Sequence, residues 1–115
     1  ASFCPNPRMT VYSSTKAYVS HFTVGLNEEL RRRKVSVTAV CPGPMATEFL
    51  PLAGITGRSS TFEFLPYCDQ VRVAGGALRA AKAGRTIYTP KLLYKFYRLL
   101  AKLTPSQLLV KFVKT

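Results

Sequence analysis

An α/β fold is the class this sequence predicts, and three observations predict it. A helical pattern over 10–33 is followed by the β-branched run Val35-Ser36-Val37-Thr38-Ala39-Val40. That run stops at Cys41-Pro42-Gly43-Pro44. A second helical pattern over 67–83 then leads into a second short strand at 85–89. Helices alternating with strands in this order cover the faces of a sheet.

Each element has its own local reason. Pro5 and Pro7 make residues 1–9 a loop that leads into a helix. From Thr10 to Arg33 there is no proline and only Gly25, while Val11, Thr15, Tyr18, Val19, Phe22, Leu26 and Leu30 recur at helical spacing. The last turn carries Arg31-Arg32-Arg33-Lys34, and cations suit the carboxyl end of a helix dipole. Residues 35–40 alternate as a strand does, and proline with glycine ends the ladder at 42–44. Ligands of open α/β sheets bind outside the carboxyl ends of strands, so the loop after Val40 is a candidate contact region.

Residues 48–66 mix Phe49, Leu50, Leu52, Ile55, Phe62, Phe64 and Leu65 with glycine, serine and proline. A long segment of that kind reads as a substrate loop, and its apolar residues point to a hydrophobic substrate. In the 67–83 helix Val71, Ala74, Leu78 and Ala81 form the expected inward face, with Asp69 near the start and Gly84 as the stop. Gly75-Gly76 marks a close helix–sheet contact. The 85–89 strand ends at Pro90.

Residues 91–115 differ in character and read as a basic amphipathic tail after an α/β unit spanning 1–90. Lys91, Lys95, Arg98 and Lys102 occupy one stripe of a helix, and Leu92, Leu93, Phe96, Leu99, Leu100 and Leu103 cover most of the rest. Thr104-Pro105 then starts a shorter helix from Ser106 to Lys114. Helices of this composition lie on membrane surfaces or in partner grooves, so 91–114 is a candidate for peripheral membrane contact.

Composition narrows the partners. The net charge is +12 over 115 residues, and ten of the seventeen basic residues follow Asp69, after which no acidic residue occurs. Such a surface attracts phosphorylated cofactors or acidic lipid. No nucleic-acid motif accompanies it, and a nucleic-acid partner is not expected. Cys4, Cys41 and Cys68 are widely spaced and the chain has one histidine, so free thiols in a reducing cytoplasm are expected and a metal site is not. No apolar run is long enough to span a bilayer, and the opening residues lack the parts of a signal peptide.

The chemistry-bearing pair is Tyr12 and Lys16, in Tyr12-Ser13-Ser14-Thr15-Lys16. Four residues apart on a helix, they share one face. A nearby cation favours the phenolate form of a tyrosine, which makes such a pair a proton donor and acceptor. The spacing alone is common, and Tyr94-x-x-x-Arg98 is a near look-alike. Position is what distinguishes the first pair, ahead of a strand, a Pro-Gly stop and Thr47.

In that order, Tyr12-x-x-x-Lys16, the strand, and Pro42-Gly43-Pro44-Met45-Ala46-Thr47 resemble the short-chain dehydrogenase/reductase family. The resemblance implies the C-terminal half of a Rossmann-like, doubly wound parallel sheet. It implies an NAD(P)-dependent oxidoreductase that reduces a carbonyl or oxidises a secondary alcohol, with NADP placed ahead of NAD. Tyr12 would be the general acid–base; Lys16 would tune it and hydrogen-bond the nicotinamide ribose. Pro42 and Gly43 would shape the wall against the nicotinamide, and Thr47 would bond the cofactor nearby. Family members pair through the helix that corresponds to 10–33, so a homo-oligomer through it is expected.

The family's glycine-rich dinucleotide loop does not occur in this sequence, and Ser2 lies too close to Tyr12 to match the family's serine. The chain therefore reads as a fragment, expected to be inactive by itself. The alternative to the enzyme is a non-catalytic basic fragment that binds acidic lipid, or as a lesser alternative nucleic acid, through its C-terminal helices.

Overall fold

The computed structural model describes residues 3–43, Met45 and 68–112. Helix α1 spans Thr10–Leu30 and tightens into a 3-10 turn at Arg31–Arg33. Strand β1 follows at Ala39–Val40, helix α2 at Gln70–Lys82 and strand β2 at Ile87–Tyr88. Helix α3 at Leu92–Leu103 and helix α4 at Ser106–Phe112 complete the described order. Among the described residues the fold is mostly helical, and the sheet is one parallel pair with Ala39 opposite Ile87 and Val40 opposite Tyr88. A parallel pair needs a crossover connection, and α2 lies within it. This is consistent with a partial α/β, Rossmann-like fragment.

The ladder is shorter than the β-branched run that leads into it. Regular pairing covers Ala39–Val40 where the pattern extends over 35–40, and Ile87–Tyr88 where it extends over 85–89. Side chains hold the approach instead. The Val37 amide donates to Asn27 Oδ1 at 2.9 Å, Ser36 Oγ to the Ala81 carbonyl at 3.3 Å, and Thr38 Oγ1 to the Arg85 carbonyl at 2.6 Å. Pairing begins where the Ala39 amide reaches the Thr86 carbonyl and ends where the Cys41 amide reaches the Tyr88 carbonyl, each at 2.8 Å. Met45 and Cys68 form a separate parallel bridge.

Helix α2 starts at Gln70 rather than 67 because Asp69 caps it: its carboxylate accepts from the Val71 amide at 3.2 Å. Gly84, at φ 72°, supplies the left-handed turn after its last residues. The inward face, however, is not the one expected. Val71 and Leu78 are exposed, and Val73, Gly76 and Ala80 are buried. The reason is a close approach. A Cβ on Gly76 would collide with the Tyr88 hydroxyl, so the helix turns its smallest residues to the strand and leaves the bulkier ones outside.

The core is small. Cys68, Val73 and Tyr94 cluster with Met45 against them. Helix α3 enters this cluster through Tyr94, and Ala101, two turns on along the same side, is also buried. Its other anchor is the opening loop, where Cys4 Sγ and Tyr97 Oη are 2.8 Å apart and the Phe3 and Tyr97 rings meet at 6.2 Å.

Candidate active site

Helix α1 is placed by small polar side chains rather than by its apolar stripe. Ser13 and Thr23 are buried, whereas Val11, Tyr18, Val19 and Phe22 are exposed. Asn27 ties the helix to the start of the sheet, accepting from the Val37 amide and donating to Thr86 Oγ1 at 3.2 Å. Two turns earlier, Ser20 Oγ lies 4.0 Å from Cys41 Sγ, just past the end of β1. Asn27 near the strand starts and Ser20 near the strand end mean that α1 runs opposite to β1. At about 1.5 Å of rise per residue, Lys16 stands roughly 6 Å beyond Ser20 and Tyr12 roughly 12 Å beyond it. Both therefore project past the carboxyl end of β1, where ligands of such sheets bind.

The pair meets there. Lys16 Nζ lies over the Tyr12 ring, 5.4 Å from its centroid, and Tyr12 is half-buried while Lys16 is exposed. The start of the helix is held by Ser13, whose hydroxyl donates to the Thr10 carbonyl at 3.1 Å and accepts from the Asn6 amide at 3.3 Å. Arg8, at φ 67°, turns the chain into the helix. A shallow depression of 420 Å³ opens alongside, lined by Arg8, Met9, Thr10, Val11 and Tyr12.

Pro42 and Gly43 follow Cys41 at the carboxyl end of β1, and both are half-buried. A Cβ on Gly43 would run into the ring of Tyr94, so this glycine lets α3 close onto the turn. Thr47 and the 48–66 segment lie outside the described residues.

The look-alike pair on α3 has different surroundings. Tyr94 is 5% exposed, and burial, with Cys68 adding to it, raises its pKa above the ordinary phenol value. Arg98 turns away to Thr89 Oγ1 at 3.2 Å, and Thr89 is fully buried at the end of β2. Tyr97, one turn from Tyr94, is likewise pushed up, by burial first and then by its hydrogen bond to Cys4.

Spacing and order point to Tyr12 and Lys16 but pass over Asn27 and Ser13, which hold their helix. The signal for Asn27 is a polar residue between Leu26 and Leu30, on the side of α1 that also carries Ser20 and Thr23. Tyr94 is passed over too; its signal is that Ala101, seven residues on, lies opposite the leucines.

Residues 1–53 match the family model described as short chain dehydrogenase, a span that contains α1, β1, Tyr12, Lys16, Pro42, Gly43 and Thr47. No solved structure matches the chain. A Tyr-x-x-x-Lys pair held past the carboxyl end of a parallel strand lies inside the matched span, and over its first 53 residues the chain is similar to the short-chain dehydrogenases.

Proposed function

We propose that this chain is the C-terminal half of an NAD(P)-dependent oxidoreductase that interconverts a carbonyl and a secondary alcohol. The observation that carries this reading is the Lys16 ammonium 5.4 Å from the Tyr12 ring, beyond the carboxyl end of β1. The donor set fits one end of a nicotinamide nucleotide: an ammonium offers three N–H donors to sugar hydroxyls, and a phenol can give or take one proton. Bound there, the nicotinamide would supply the hydride.

In the direction of reduction, the Tyr12 hydroxyl gives its proton to the substrate oxygen; in oxidation the phenolate takes it back. The Lys16 ammonium over the Tyr12 ring brings positive charge to this end of the site, where it can also hold the cofactor's sugar hydroxyls. Pro42, Gly43 and Thr47 complete the contact set along the segment after β1. The composition of 48–66 favours an apolar substrate. The strongly basic chain favours the additional phosphate of NADP over NAD.

The test uses the full-length protein that carries this sequence, with nicotinamide absorbance followed over a panel of hydrophobic ketones. Tyr12→Phe is expected to lower turnover by about 10²–10⁴-fold and leave cofactor affinity unchanged in a fluorescence titration. Undiminished turnover would remove Tyr12 from the mechanism. The exposed Val11, Tyr18 and Phe22 support pairing with a second copy through α1. Phe22→Asp is then expected to halve the mass measured by light scattering, and an unchanged mass would remove α1 from the interface.

A further inference from the structure

Helix α3 is built inside out. Its inner side is made of Tyr94, Ala101 and the half-buried Arg98, which bonds Thr89. Its outer side carries Leu92, Phe96, Leu99 and Leu103, at spacings of four, three and four, with Leu93 and Leu100 beside them. All six are exposed, from 43% at Leu100 to 82% at Leu92. Lys95 and Lys102, both exposed, run along one margin of that apolar face, between it and the docked side. The pattern continues on α4, where Leu108 and Phe112 are exposed and Lys111 is exposed next to Phe112.

We infer that this face of α3, continued by α4, is a docking surface for an anionic lipid bilayer. A helix with leucines and phenylalanine on one face and lysines at its edge lies in the plane of the headgroups, with the apolar face about 5–10 Å into the acyl boundary. The lysine stems are long enough to keep their ammonium groups among the phosphates. Charge selects the occupant. No acidic residue follows Asp69, and the chain carries +12, so an acidic surface is attracted and a second copy brings like charge against like. The inner anchors give the surface a fixed presentation. Tyr94 in the core and Tyr97 on Cys4 hold α3 to the sheet domain, so the face it offers is set before any lipid arrives.

The sequence contains no tryptophan, so Phe96→Trp makes a single-fluorophore reporter at the centre of the face. Vesicles of phosphatidylcholine with and without phosphatidylserine are titrated into the full chain carrying this change. The expected result is a blue-shifted emission with phosphatidylserine vesicles, weak or absent with phosphatidylcholine alone, and reversed by salt. Leu99→Asp together with Leu103→Asp should abolish co-sedimentation while far-ultraviolet circular dichroism stays unchanged, because both positions are exposed. Lys95→Ala and Lys102→Ala should each weaken binding about fivefold.

Emission unmoved by anionic vesicles would overturn the proposal, as would sedimentation indifferent to the aspartate pair. A blue shift that grows with protein concentration in the absence of lipid would also overturn it, by assigning the face to a second copy or to another segment of this chain.

Discussion

Two tyrosine–cation pairs with the same four-residue spacing sit on α1 and α3, and the structure treats them in opposite ways. Tyr12 is half-buried at the edge of a depression with the Lys16 ammonium over its ring, past the carboxyl end of a strand. Tyr94 is closed into the core against Gly43, and its Arg98 reaches past it to the end of β2. One phenol stands partly exposed at the surface and the other holds a helix down. Spacing brings two side chains to one face of a helix, but the place of that face relative to the sheet decides what the pair can do.

The widest separation between the pairs is expected in turnover. In the full-length protein, Tyr94→Phe should keep the rate within a few-fold of the parent, against the loss of about 10²–10⁴-fold expected for Tyr12→Phe. Equal losses would mean that the contrast drawn here is false. Stability should divide them the other way. Tyr94→Ala empties a buried ring site and should cost about 3–5 kcal/mol in urea titration, whereas Tyr12→Ala should cost about 1 kcal/mol or less. Gly43→Ala drives a methyl into the Tyr94 ring and should cost roughly 1–3 kcal/mol. If Tyr94→Ala relieved that cost in the double variant, the clash would be located where the geometry puts it.

A smaller effect appears in alkali. Tyr94 and Tyr97 both have pKa values raised in the fold, so the folded chain keeps protons that an unfolded tyrosine gives up near pH ~10. Their contribution is therefore complete below that pH and is lost as the pH rises through it. The melting temperature should fall above pH ~10, and less steeply in Tyr97→Phe than in the parent. An identical slope would show that Tyr97 takes no part in the alkaline loss.

What was legible in the sequence is what is decided locally. Asp69, Gly84 and the Thr104-Pro105 break mark helix ends because capping and turn geometry involve only neighbouring residues. The Tyr12–Lys16 pair stands out in the sequence because its order relative to the strand and the Pro-Gly stop is itself a linear pattern. The inward face of α2 was not. Hydropathy favours Val71 and Leu78, but the helix approaches Tyr88 so closely that only Gly76 and its small neighbours fit there. The same rule hides the seating of α1, which packs through Ser13 and Thr23 and leaves Val11 and Phe22 outside. The anchoring role of Tyr94 is hidden in the sequence, because nothing near it in the chain announces Gly43, which lies more than fifty residues away.

The contact between Cys4 and Tyr97 spans 93 positions of the chain, and it is the latch between the opening loop and α3. Cys4 is buried while that latch is closed, so a thiol reagent reaches it when the opening loop and α3 part. Its labelling rate is then a clock for undocking, with partly exposed Cys41 as the fast internal reference and buried Cys68 reporting on the core beneath. A chain with three thiols at three depths thus carries its own stopwatch for the order in which its pieces come apart.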